Sequence, residues 1–302
     1  MTLVVARKLT DYHIEIVSDT RITDINATNR RSFLVGALKS VILSKPWCLC
    51  FAGDVKRAHY TIEKIVTDGM VNFPVTRLLG YLLDMHLESN RDTDFILCEL
   101  RENAKIHIIK NGDCQEFLAG WIGDYSVFRY YQECYSKSKN YEPSKDSRYH
   151  MSNAFRMVVH SSLYPDVYST GDHVIVTTTT EQGFAYVPYA YAVSVPFREG
   201  EFCIKNDVEH GGYAESILVP VETGIGAIAV HMFPRNMGIL YHPTYMAEPI
   251  ITTDVTTSAY IAHLKAVYGL TFTGYENSNI TISRNLDDKV GNHLYKGKLI
   301  KL

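Results

Sequence analysis

Short apolar runs punctuated by polar clusters open the chain. Leu3 to Arg7 and His13 to Val17 read as two strands joined by the polar stretch Lys8 to Tyr12, an N-terminal hairpin. Such pairing fixes a residue at the extreme N-terminus instead of leaving it to fray. Trp47 to Phe51 predicts a further strand, closed by Ala52-Gly53-Asp54, where Gly53 suits a tight turn or a close backbone approach. The period then changes. Ala58, Ile62 and Ile65 recur at helical spacing within Lys56 to Thr67, and Leu78, Leu79, Leu82 and Met85 do so within Val75 to Leu87, after a helix-starting Pro74.

Asp94 to Leu100 and Lys105 to Ile109 read as a second hairpin around Arg101-Glu102-Asn103, with Glu116 to Ile122 as an added strand. Gly123-Asp124 opens a helical stretch, Tyr125 to Tyr135. The polar segment Ser136 to Ser147 leads to a helix over Met151 to Leu163, which Tyr164-Pro165-Asp166 ends because proline opposes its continuation. His173 to Thr179 and Gly183 to Val187 add two strands. Helix pairs alternating with antiparallel strands predict an α+β chain with α/β/β/α layers.

Beyond about residue 190 the pattern is strand-rich and interrupted by Pro196, Pro220, Pro234, Pro243 and Pro249. Ile225 to Met232 and Met237 to Tyr241 flank a hairpin connection at Phe233-Pro234-Arg235-Asn236, and Thr256 to Val267 predicts one more helix. The division expected is residues 1–190 and a C-terminal extension or closely packed subdomain, 191–302.

With 302 residues, 46% of them hydrophobic, the chain can bury a sizeable core. Thirty Lys and Arg against 33 Asp and Glu leave a formal charge of −3, no field for gripping a phosphate backbone, so nucleic acid is not an expected partner. Apolar runs fall well short of the roughly 20 residues that span a bilayer, so no membrane partner is expected either. Six dispersed cysteines fit a reduced, cytoplasmic setting. Cys48 and Cys50 share a strand face with no second pair at metal-site spacing, and the 12 histidines form no His-Glu-x-x-His motif. No metal or cofactor is expected.

Residue 2 is threonine. Removing Met1 would place a hydroxyl and a free α-amine on one residue, a nucleophile carrying its own base, whose ordinary pKa of about 7.7–8.0 lies near neutrality. Asp19 and Lys39 are candidates for a supporting ion pair, with Lys39 pressing the amine toward its neutral form. Taken singly, Asp19 reads equally as a turn cap, Lys39 as a surface lysine and Gly53 as a turn glycine. Their order adds the weight.

Thr2-Leu3-Val4-Val5-Ala6-Arg7, then Ser18-Asp19-Thr20-Arg21, then Lys39 fourteen residues before Gly53 in Cys50-Phe51-Ala52-Gly53-Asp54, together resemble the proteasome β-subunit family and its bacterial relatives. These are N-terminal nucleophile (Ntn) hydrolases, and the resemblance covers residues 2 to about 190. It implies a four-layer α/β/β/α sandwich with a strand-rich C-terminal extension. It also implies Thr2 as nucleophile, Asp19 as orienting acid, Lys39 as amine-tuning base and the Gly53 N–H as oxyanion donor. Asp166-Val167-Tyr168-Ser169-Thr170-Gly171 resembles the family's downstream element, so Asp166 and Ser169 are carried over as supports of the Thr2 amine. Ile122-Gly123-Asp124 resembles its strand-to-helix turn, with Asp124 where the family has a serine; Asp124 and Arg21 are further supporting candidates. The resemblance implies hydrolysis of a peptide or small amide, a homo-oligomer, and an ATPase or regulatory partner of unspecified kind. The alternative is a catalytically inactive Ntn-fold assembly or regulatory protein.

Overall fold

The structure, a computed structural model, describes residues 2–22, 36–160, 173–194, 212–221, 226–232, 236–243, 249–275, 293–294 and 299–300. The chain is mixed α+β, with five α-helices and three antiparallel sheets among those residues. It divides into two compact units. One runs to Tyr186 and takes in Gly226 and His242; the other takes up at Val187.

In the first unit, β1 (Leu3–Thr10) and β2 (His13–Asp19) form the N-terminal hairpin. They lie at the centre of a five-stranded sheet with β8 (Ala119–Gly123), β9 (Val174–Thr180) and β10 (Gly183–Tyr186), in the order β10-β9-β2-β1-β8. A second five-stranded sheet runs β3-β4-β5-β6-β7, from β3 (Ser40–Ser44), β4 (Trp47–Gly53), β5 (Thr93–Glu99), β6 (Lys105–Lys110) and β7 (Asp113–Phe117).

Helices α1 (Val55–Thr67) and α2 (Val75–Glu88) pack on the second sheet, through buried stripes of Ala58, Ile62 and Ile65, and of Leu78, Leu82 and Met85. Helix α3 (Tyr125–Tyr141) packs on α4 (Ser147–His160), which rests on β2 and β9. The two sheets meet through β1, β2, β8 and β10 on one side and β3 to β6 on the other.

A chain of buried hydroxyls crosses between them. Ser40 Oγ in β3 lies 3.2 Å from Ser18 Oγ in β2 and 3.1 Å from Thr177 Oγ1 in β9. Beside it the Tyr186 hydroxyl donates to the Ser40 carbonyl at 2.8 Å and accepts from Ile42 N at 3.2 Å. These polar groups are fully buried yet bonded, the condition under which burial is tolerated.

Three departures from the sequence expectation have a local cause. Glu116 to Ile122 is not one strand: β7 and β8 belong to different sheets, and the exposed Leu118 carries the chain between them while its carbonyl accepts from Lys8 N at 2.8 Å. Helix α3 continues to Tyr141, because Ser138 in the polar stretch turns inward to bond the His150 ring at 2.9 Å and to accept from Asn153 at 3.2 Å. Helix α4 starts at Ser147, after Asp146 has accepted from Tyr149 N at 2.8 Å.

In the second unit, β11 (Tyr189–Ser194), β12 (Gly212–Pro220), β13 (Ile228–Met232), β14 (Met237–Tyr241) and β15 (Ile250–Thr252) form an antiparallel run, and α5 (Thr257–Tyr268) covers one face. Leu218, Ala229, Leu240, Tyr260, Leu264 and Phe272 make its core. Strand β16 (Phe272–Tyr275) joins β12, and the short β17 (His293–Leu294) and β18 (Leu299–Ile300) pair with β11 and β16.

Candidate functional site

Thr2 immediately precedes β1 and is 4% exposed. Its carbonyl is fixed by the turn after β8: Asp124 N donates to it at 2.8 Å. Gly123 adopts φ +106°, and a Cβ there would run into that carbonyl, so glycine is needed for the close approach. The next amide points the other way. Leu3 N donates to Asp19 Oδ1 at 3.2 Å, as the pairing of Val4 with Ser18 dictates for neighbours on β1 and β2.

Asp19 also holds Lys39. The Lys39 ammonium donates to both Asp19 carboxylate oxygens at 3.1 Å and to the Arg21 carbonyl. Both side chains are essentially dry, 1% and 0% exposed. Ala37 N donates to Thr20 O at 2.7 Å and Arg21 bridges Gly36, so the segment entering β3 lies beside the segment leaving β2. Because Asp19 Oδ1 serves both Leu3 N and Lys39 Nζ, a positive charge stands close to the peptide that follows Thr2. It lies in a region shielded from water, where its field acts strongly.

Gly53 ends β4 on the same edge. Phe51 N donates to the Lys39 carbonyl at 3.1 Å, and Gly53, two residues on, lies beyond the end of β3, so no β3 residue pairs with it. Its φ is +108°, and a Cβ there would strike the Asp92 carbonyl. Gly53 is an exposed residue, and its N–H, which no β3 residue pairs with, is of the kind suited to receiving developing negative charge.

The structure thus brings together Leu3, Asp19, Lys39 and the Arg21 carbonyl, with Thr2 covalently adjacent and Gly53 one strand away. Arg21 contributes its backbone oxygen to the lysine. Asp124 meets Thr2 through its backbone, while Oδ1 of its side chain accepts from Ser126 N at 2.8 Å, Ser126 Oγ at 2.6 Å and Val127 N at 3.4 Å as the N-cap of α3. Met1, Asp166 and Ser169 lie outside the described residues.

Sequence reasoning gave no role to the hydroxyl contacts of Ser18, Ser40 and Thr177, which join β2, β3 and β9; Ser18 stood in the Ser18-Asp19-Thr20-Arg21 motif and Ser40 follows Lys39, but neither position signals the contact. Cys48, Cys50 and Cys98 are buried, and burial raises the Cys48 and Cys98 thiols well above the ordinary range. Among the described residues no group of three or more His, Cys, Asp or Glu is placed to hold a metal ion, and no helix is long and apolar enough to cross a membrane. No protein-family model matches the chain, and no curated protein matches it.

Proposed function

We propose that the first unit is a four-layer Ntn-type sandwich and that, once Met1 is removed, Thr2 hydrolyses a peptide or other amide bond. The observation that carries this reading is the dry Asp19–Lys39 pair bonded to the amide of Leu3. In this mechanism the Thr2 hydroxyl attacks the substrate carbonyl and its proton passes to the Thr2 amine. The adjacent Lys39 charge favours the neutral amine needed for that transfer. The Gly53 N–H binds the tetrahedral oxyanion. Collapse expels the leaving amine, which takes the proton, and leaves an ester on Thr2. Water, deprotonated by the same amine, then releases the acid and restores the hydroxyl.

A non-catalytic assembly protein is the competing reading. The same ion pair favours it in one respect, since it closes the interior between β2 and β3 without calling on an amine. The two readings separate on treatment with a peptidyl β-lactone, which acylates activated hydroxyls, followed by mass analysis. Hydrolysis requires a chain beginning at Thr2, an adduct on the Thr2 peptide and no adduct in Thr2→Ala. An intact Met1, or amide turnover undiminished in Thr2→Ala, refutes it.

A further inference from the structure

Among the described residues the two sheets of the first unit present four edges, and three of these are protected. On β3, Ile42 N donates to the Tyr186 hydroxyl and Ile42 O accepts from Gly226 N at 2.9 Å. On β10, Phe184 N donates to Lys45 O at 2.9 Å. Strand β7 carries Asp113 and Glu116, charges of the kind that discourage strand pairing. Strand β8, Ala-Gly-Trp-Ile-Gly, carries neither charge nor proline. The bonds Lys8 N to Leu118 O and Asp124 N to Thr2 O bracket its pairing with β1. By the antiparallel alternation Gly120 and Ile122 therefore face β1, while the backbone groups of Ala119 and Trp121 face the side where no strand pairs with β8 among the described residues.

A cleft flanks this edge on each face, and Ala119, Gly120 and Trp121 line both. One, about 430 Å³, is bounded by Lys110, Gln115 and Phe117. The other, about 520 Å³, lies against α3 and is lined by Phe128, Tyr131, Tyr135 and Arg7, and by Lys8, whose ammonium is paired with Asp11 at 2.9 Å; no carboxylate is in its lining. The Trp121 ring stacks on Phe128 at 4.5 Å between centroids, with the Lys110 ammonium 3.7 Å from its own centroid. Arg7 stands opposite Ala119 in the register and Val5 opposite Trp121, so cation and aromatic wall are two residues apart on one face.

We propose that β8 is a docking edge for an extended peptide that adds as an antiparallel strand. Alternate side chains of the peptide enter the two clefts, an aromatic residue beside Trp121 and an acidic residue two positions later beside Arg7. Backbone pairing supplies affinity, and the clefts supply the preference for an aromatic-x-acidic pattern. The inference holds whether or not Thr2 is a nucleophile.

The test is a titration of the full chain with the fluorescently labelled peptide Thr-Val-Phe-Thr-Glu-Val, capped at both ends, followed by anisotropy at low salt. Saturable binding is expected, weakened at least about tenfold by N-methylation of the Phe amide and by replacing Glu with Lys. Arg7 is exposed, so Arg7→Glu should fold normally and reverse the preference between the Glu and Lys peptides. The proposal is overturned by no binding, by equal binding of the N-methylated peptide, or by an unreversed preference in Arg7→Glu. It is equally overturned by a chain dimer that shields Trp121 from acrylamide quenching, which would make a second copy the occupant.

Discussion

Lys39 concentrates the energetics of the candidate site on one atom. Its ammonium has left water entirely and is repaid by two Asp19 oxygens and the Arg21 carbonyl. Removing one partner of such a pair strands a buried charge, so Asp19→Leu and Lys39→Met should each lower stability by about 3–5 kcal/mol. Replacing both with apolar residues of similar volume avoids the stranded charge, and Asp19→Leu with Lys39→Met should cost far less than the two single changes together. Urea denaturation of the four proteins measures this directly; additive losses would show that the two residues are not coupled. Gly53 makes a different kind of demand. Any side chain there meets the Asp92 carbonyl and must also adopt a left-handed φ, so Gly53→Ala should lose more than about 1 kcal/mol, and β-lactone acylation of Thr2 should fall with it. Acylation at the wild-type rate in this variant would remove Gly53 from the proposed oxyanion site.

At the scale of elements, legibility followed the strength of the local period. Helices α1 and α2 were readable because their apolar stripes recur at helical spacing, and the β1–β2 hairpin because a polar cluster separates two apolar runs. The division of Glu116 to Ile122 into β7 and β8 was not, since Phe117-Leu118-Ala119 stays apolar where the chain changes sheets and no glycine or proline marks the crossing. Strand β3 was missed because its apolar run is only Val41-Ile42-Leu43, and its place depends on distant partners such as Tyr186. For the proposed site, Thr2, Asp19, Lys39 and Gly53 were singled out as a set through the family resemblance that their order carries. The Ser18–Ser40–Thr177 chain could not be picked out, because isolated serines and threonines carry no period. Asp124 shows the same limit from the other side: its place at a strand-to-helix turn was visible, but the spending of Oδ1 on the first turn of α3 was not. As an N-cap it should be worth about 1 kcal/mol, so Asp124→Ala should lower the melting temperature while Asp124→Ser keeps most of the stability. Hydrogen exchange confined to the first turn of α3 would identify the cap as the cause.

For the whole molecule, acid should be the weak side of the stability profile, because each unit buries a histidine that resists protonation. Burial holds His242 of the first unit down to about 4 and lowers His231 of the second, where Thr257 Oγ1 lies 3.0 Å from Nδ1 and Nε2 lies 2.7 Å from the Val255 carbonyl. A base with a depressed folded pKa binds more protons when unfolded. Its contribution is therefore complete above the ordinary value of 6.5 and is lost as pH falls toward the folded value. For His242 the full loss on reaching about pH 4 is as much as about 3 kcal/mol. Glu15 acts in the opposite sense. It is buried beneath Arg148 of α4, near His13 and Thr178, and desolvation raises its pKa, so acidification relieves an unfavourable buried charge. Its relief begins above the ordinary carboxylate value of 4.5, inside the window where the histidines are lost, so Glu15→Gln should make the fall between neutrality and pH 4.5 steeper. His242→Gln should make it shallower. Urea midpoints measured from pH 7 to pH 4 decide the matter, and parallel curves for wild type and His242→Gln would show that His242 does not set the acid limit.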